Sequence, residues 1–204
     1  MNTKFKKLVV LFGATLVVSL FVAACSDSAD GQKPNGPTVQ QTTVSEQLSE
    51  DDEGVFLRVI APLDEERGYC LDIPGQLSGV RLDSPMQAHT CKHGGWNLDG
   101  RFDEAVLASG VIRMPEYDLC IHADSASVGG TLRLTECADI ETRTWDVQES
   151  GEIALAADPQ LCVTIDEGPG LNAGGQQYLR RSVGLETCAA QVSDRQRWMT
   201  ATPE

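Results

Sequence analysis

The chain has 204 residues, 30 acidic and 16 basic side chains, and a formal net charge of −14. That length allows one domain, or one domain with a tail, and the acidity excludes nucleic acid as a partner because phosphate recognition needs a positive field. At 41% hydrophobic and 23% charged residues, part of the chain can bury a core, which excludes wholesale disorder.

Residues 1–24 open with Lys4, Lys6 and Lys7 and continue as an apolar run from Leu8 to Ala24. Positive charge, a short hydrophobic span and small residues before a cut site are the layout of an export signal. Gly13, Thr15 and Ser19 interrupt the run, which is short for a stable membrane span. Its end, Val22-Ala23-Ala24-Cys25, resembles a bacterial lipobox. The resemblance implies cleavage before Cys25 and acylation of that residue, with more than one acyl chain, as stable anchoring requires. Ser26 stands where an Asp would signal inner-membrane retention in enteric-type bacteria, so the resemblance implies the outer membrane.

Residues 26–53 follow as an acidic tether. They hold seven carboxylates and one cation, Lys33, without a single aromatic residue. Too little apolar surface is present to offset the entropy of ordering, and the segment reads as a disordered spacer. Losing the three leader lysines takes the charge from −14 to −17. An anionic bilayer surface repels such a chain, so lipid rather than electrostatics must hold it there.

The remaining residues, 54–204, contain one pattern written three times. Each unit places a Cys in a strand-like run: Tyr69-Cys70-Leu71-Asp72-Ile73, Leu119-Cys120-Ile121-His122 and Leu161-Cys162-Val163-Thr164-Ile165. A Gly-bearing loop and a second run ending in Cys91, Cys137 or Cys188 come next, and Trp96, Trp145 or Trp198 closes the unit. Gly54-Val55-Phe56-Leu57, Gly110-Val111-Ile112-Arg113 and Gly151-Glu152-Ile153-Ala154 open them, giving units of about 54–100, 101–147 and 148–200. With Cys25 assigned to lipid, six cysteines remain in an oxidising setting. The repeat selects Cys70–Cys91, Cys120–Cys137 and Cys162–Cys188, each within its own unit. A zinc site built on His89, Cys91 and His93 would compete for a cysteine that already has a repeat-matched partner. No helical periodicity is sustained. Short apolar runs between Gly, Asp and Pro predict an all-β domain whose units bury their hydrophobic faces by closing on one another. Leu71, Ile121 and Val163 are expected to be buried beside the disulfides.

This arrangement of Cys, Gly-rich loop, Cys and Trp resembles the ricin B-type lectin domain. The resemblance implies a β-trefoil: a six-stranded barrel capped by three hairpins, with Trp96, Trp145 and Trp198 in the core. It also implies sugar contacts, unevenly. In the first unit Asp72 matches the carboxylate that spans two sugar hydroxyls, Gln87 matches the family's Gln, and His89 stands in for the stacking aromatic. Gly94 replaces the Gln before the closing Trp, with His93 beside it. In the second unit His122, Thr135 and Arg143 replace Asp, aromatic and Gln. The third keeps Gln196-Arg197-Trp198 but has Thr164 and Glu186 for Asp and aromatic. Sugar sites combine a few convergent polar groups with an apolar face, so a pocket is expected only in the first unit, lined by Asp72, Gln87, His89 and His93.

Simpler roles exist for the same residues. Asp72 could cap loop amides, the histidines could be solvated, and the many acids could form a soluble surface. No nucleophile elbow, metalloprotease motif or free thiol nucleophile occurs in the repeats, no cofactor is implied, and no catalysis is expected. The functional expectation is a membrane-anchored, carbohydrate-binding lipoprotein whose partner is a glycan. The alternatives are a trefoil serving protein interaction or structure, and a cell-binding subunit resembling that of cytolethal distending toxins.

Overall fold

A computed structural model describes residues 54–93, 98–138, 143–175 and 177–203. The leader, Cys25, the tether, Gly94 and Trp96 lie outside the described residues.

Among the described residues the regular structure is mostly strand. The first unit forms β1 (Phe56–Val59), β2 (Tyr69–Asp72) and β3 (Gln87–Thr90). The second forms β4 (Arg113–Met114), β5 (Leu119–Ala123), β6 (Leu132–Glu136) and β7 (Trp145–Val147). The third forms β8 (Ile153–Leu155), β9 (Asp158–Ile165), β10 (Leu171–Asn172), β11 (Leu179–Thr187) and β12 (Trp198–Ala201). Among the described residues helix is confined to 3-10 turns and to two single turns, α1 (Glu104–Leu107), capped by the Asp103 carboxylate accepting from the Ala105 N–H, and α2 (Ser193–Gln196).

Each unit is built on one antiparallel hairpin: β2 with β3, β5 with β6 and β9 with β11. The disulfides Cys70–Cys91, Cys120–Cys137 and Cys162–Cys188 staple these hairpins, each inside its own unit as the repeat requires. Directly after the first cysteine of each pair, Leu71, Ile121 and Val163 are buried in the core. Their backbone carbonyls serve a second purpose. The Trp145 Nε1–H donates to Ile121 O at 3.1 Å and the Trp198 Nε1–H donates to Val163 O at 3.0 Å. One indole thus closes each of these two units by the same bond, satisfying its only polar atom in an otherwise apolar setting.

The opening glycines repeat as well. Gly110 and Gly151 sit at φ +80° and +99°, and a Cβ there would approach Trp145 O to 2.4 Å and Trp198 O to 2.8 Å. Glycine is required at both places for the left-handed backbone and for the close pass of the chain.

The units join through a curled nine-stranded sheet in the order β12-β1-β2-β3-β11-β9-β8-β7, with β10 on β11, and a three-stranded sheet β4-β5-β6. Pairing of β1 with β12 brings the two ends of the domain together, and β3 with β11 joins the first unit to the third. The Met86 N–H donates to Leu132 O at 2.8 Å between units one and two, and Thr131 bridges to Gly184 between two and three. A single hydrophobic cluster runs through all three units.

Asp64 ties the first unit to the third from the surface. Its carboxylate accepts from Tyr69 Oη at 2.8 Å, Arg181 Nη2 at 2.6 Å and the Gly170 N–H at 2.7 Å. Partial burial opposes the charge, but these donors outweigh it and lower the pKa from 3.8 to about 2. A depressed folded-state pKa contributes stability above the unfolded value and loses it as the pH falls through the folded one. Asp64→Asn is therefore expected to be less stable than wild type at neutral pH, with the difference in urea midpoint closing between pH 3.8 and about 2. A difference that stays constant with pH contradicts this role.

Candidate functional site

Asp72 ends β2 opposite Gln87, which begins β3, and His89 lies two residues along the same strand. The alternation of a strand puts Gln87 and His89 on one face. Both contribute to a cleft of about 480 Å³ that His93 and Lys92 also line. Three of the four residues expected from the sequence therefore share one cavity. Asp72 differs: it is only 2% exposed and sits beneath Lys92, whose Nζ lies 2.7 Å from its Oδ2.

The Lys92 ammonium also reaches Asp99, a residue 1% exposed in the 3-10 turn Leu98–Gly100. One cation thus serves two buried carboxylates. Burial raises the Asp72 pKa well above the ordinary aspartate value, and Asp99 adds to the rise against the pull of Lys92. Burial opposes the charge on Lys92 in turn, yet the two carboxylates hold its pKa above the ordinary lysine value. Among the described residues, Oδ1 of Asp72 and Oδ1 of Asp99 have no hydrogen-bond partner. Buried acceptors left unmade are costly, so the cluster retains an unmet demand for donors beside the cleft.

His89 supplies a flat face. Its Nδ1 lies 2.7 Å from Thr90 O, so the tautomer that satisfies the carbonyl carries its proton on Nδ1 and leaves Nε2 as an acceptor. Burial pushes the His89 pKa down from 6.5. The neutral ring makes the 4.0 Å approach of Nδ1 to Asp72 Oδ2 a proximity and not an ion pair. The ring stacks on Tyr178, with centroids 5.6 Å apart and planes 30° from parallel, and the Arg67 guanidinium lies 5.0 Å from the Tyr178 centroid. Tyr178 comes from the third unit, held at the cleft by the β3–β11 pairing.

The matching positions of the other units are closed by their own bonds. In the third, the Gln196 amide donates to Thr164 Oγ1 at 2.9 Å and to Thr187 O at 3.0 Å, and accepts from the Ala189 N–H at 3.0 Å. Glu186 pairs with Arg195 at 3.3 Å. In the second, Arg143 donates to Thr135 Oγ1 at 3.3 Å and to Glu136 O, while His122 Nδ1 meets Arg133 O at 3.0 Å. Polar groups spent on one another in this way are not offered to a ligand. Cys91 is committed to its disulfide, so it provides no thiolate for a metal between His89 and His93.

Residues 61–179 match the family model of the ricin-type beta-trefoil lectin domain. The chain belongs to this family. In this ricin-type lectin domain the repeat continues past the matched span, through Cys188 and Trp198. Among solved structures, the mdaA-1 domain superposes with a TM-score of 0.54 at 18% identity, covering 74% of this chain and 91% of that one, a likeness in fold. The earthworm R-type lectin C-half in complex with GalNAc gives 0.48 at 16% identity, covering 72% and 95%. The Vibrio vulnificus hemolysin/cytolysin beta-trefoil lectin with N-acetyl-D-lactosamine bound gives 0.47 at 16% identity, covering 74% and 94%. No curated protein sequence matches the chain.

Lys92, Asp99, Tyr178 and the two arginines that also line the cleft, Arg81 and Arg180, were not among the residues expected from the sequence. Lys92 carried a readable signal: the other units have Ala138 and Ala189 after their second cysteine. Tyr178 carried none, because the sequence does not say which unit abuts the first.

Proposed function

We propose that the protein is a membrane-anchored lectin that binds a glycan through the cleft of its first unit. The observation that carries this reading is the pairing of the His89 and Tyr178 rings beside Gln87 and Lys92 in one cavity. A sugar offers an apolar C–H face and a rim of hydroxyls, and such a cavity answers both. The ring pair takes the C–H face, and Gln87, Lys92 and His89 Nε2 take hydroxyls. Asp72 acts from below by fixing Lys92, and its unpartnered Oδ1 is an acceptor for a hydroxyl that reaches it. His93 lines the cleft rim and completes the set with Asp72, Gln87 and His89. Asp72 and Asp99, the carboxylates that hold Lys92, are buried on one ammonium and do not flank an open cleft as the two acids of glycoside hydrolysis do. The protein's role is therefore binding.

Export fits the three disulfides, which persist in oxidising compartments. In this reading residues 1–24 are removed, Cys25 carries the lipid, and residues 26–53 hold the 54–204 domain clear of the outer membrane.

A glycan array with the full-length, oxidised protein tests the proposal. Binding is expected, with Tyr178→Ala or His89→Ala weakening it by roughly tenfold or more through loss of the stacking face. His122→Ala, in the second unit, leaves it unchanged. No binding across the array, or equal binding by all variants, overturns the proposal, and a protein recovered by cross-linking in place of a glycan would favour the interaction-module alternative.

A further inference from the structure

The cleft has a charge that the chain as a whole does not share. Against a net −14, its lining among the described residues includes Arg81, Lys92 and Arg180 and no Asp or Glu. Lys92 is balanced from beneath by Asp72 and Asp99. The two arginines are not balanced. Carboxylate pairing among the described residues engages Arg67, Arg113, Arg133, Arg181 and Arg195; it leaves Arg81 and Arg180 with none, as it does Arg58, Arg143 and Arg197, but of these only Arg81 and Arg180 line the cleft. Both are exposed.

The two guanidiniums arrive from different units. Arg180 lies directly opposite His89 in the β3–β11 ladder, so it leaves the sheet beside the ring pair. Arg81 follows the 3-10 turn Leu77–Gly79, and its backbone N–H, bonded to Pro74 O at 2.9 Å, pins that loop over the cleft. Cations could have been placed anywhere on this acidic surface to pair with its many carboxylates. Two unpaired ones at the mouth of a cavity with a stacking face describe the ligand.

We infer that the saccharide bound here is acidic, its carboxylate or sulfate held by Arg81 and Arg180 while its ring lies against His89 and Tyr178. This rests on the cleft being a sugar site. A guanidinium presents its donors as a planar fork that matches a carboxylate or sulfate edge. Repulsion from the rest of the chain is screened beyond about 8 Å at physiological salt, so the local arginines decide the sign of the interaction.

The test compares neutral and acidic forms of the same sugar on the full-length protein by calorimetry: galactose with galacturonate and with galactose 6-sulfate, and glucose with glucuronate. At least one acidic form is expected to bind about tenfold more tightly than its neutral counterpart at low salt, with the preference shrinking as salt rises. Arg81→Gln with Arg180→Gln, both exposed, abolishes the preference and leaves neutral binding in place. Equal affinity for neutral and acidic forms, or a preference that survives the double substitution, overturns this inference alone. Binding of neither form overturns it together with the sugar-site reading.

Discussion

Lys92→Met is expected to lower the unfolding free energy by about 3 to 5 kcal/mol at neutral pH, the usual consequence of removing one partner from a buried ionic cluster. Asp72 and Asp99 are both nearly inaccessible, and Lys92 is the ammonium each of them pairs with. Without it, two carboxylates remain buried beside each other. Burial already raises the Asp72 pKa, and loss of the cation that pulls it down lets it rise further. The sign then follows: a raised acid binds more protons folded than unfolded, and stability falls as the pH climbs from the unfolded value through the folded one. Lys92→Met should accordingly recover part of its loss at pH 5 relative to pH 8, read by urea unfolding at the two pH values. Adding Asp72→Asn should restore a further part at pH 8 by removing one of the stranded charges. A Lys92→Met protein as stable as wild type at pH 8 would mean that the cluster does not hold together as described.

The disulfides give the second large effect, and they separate stability from binding. The closed loops span sequence separations of 17, 21 and 26 residues. On the chain-entropy account each contributes about 3 kcal/mol. Cys120→Ala with Cys137→Ala and Cys70→Ala with Cys91→Ala should therefore cost similar stability. Their effects on ligand binding should differ. The first pair staples β5 to the start of the loop after β6, away from the cleft, whereas Cys91 directly precedes Lys92 and His93, and Cys70 lies two residues before Asp72. Losing the 70–91 bridge frees the segment that carries the cation and the second imidazole, and glycan binding should fall with it. Loss of the 120–137 bridge should leave binding intact at temperatures where the domain remains folded. Equal effects on binding from both pairs would show that the cleft depends on global stability alone.

The fold was legible in this chain because its information is local and repeated. Cysteine, small-to-medium apolar residue, glycine loop, cysteine and tryptophan recur in order, each unit makes its own hairpin and staple, and the second and third are closed by the indole bonds of Trp145 and Trp198. Gly110 and Gly151, read only as openings of units, prove to be places where no side chain fits. The site was legible to the extent that it lies in one hairpin, and Gln87, His89 and His93 do. It was hidden where it depends on assembly. Tyr178 and Arg180 reach the cleft through the pairing of β3 with β11, a contact between residues about ninety positions apart in sequence that no local pattern encodes. Asp72 was identified as a polar side chain of the right kind, but its depth depends on Lys92 and on Asp99 from the turn after the unit's second strand pair. Burial of a charge is decided by three-dimensional neighbours, and composition does not contain them.

The most direct measurement is a heteronuclear NMR titration of the full-length, oxidised protein with a saccharide that it binds. The account predicts shifts confined to the first-unit cleft, led by His89, Gln87 and Lys92 and extending to Tyr178 and Arg180 across the β3–β11 pairing. Shifts centred instead on His122 and Arg143, or on Thr164 and Gln196, would contradict it.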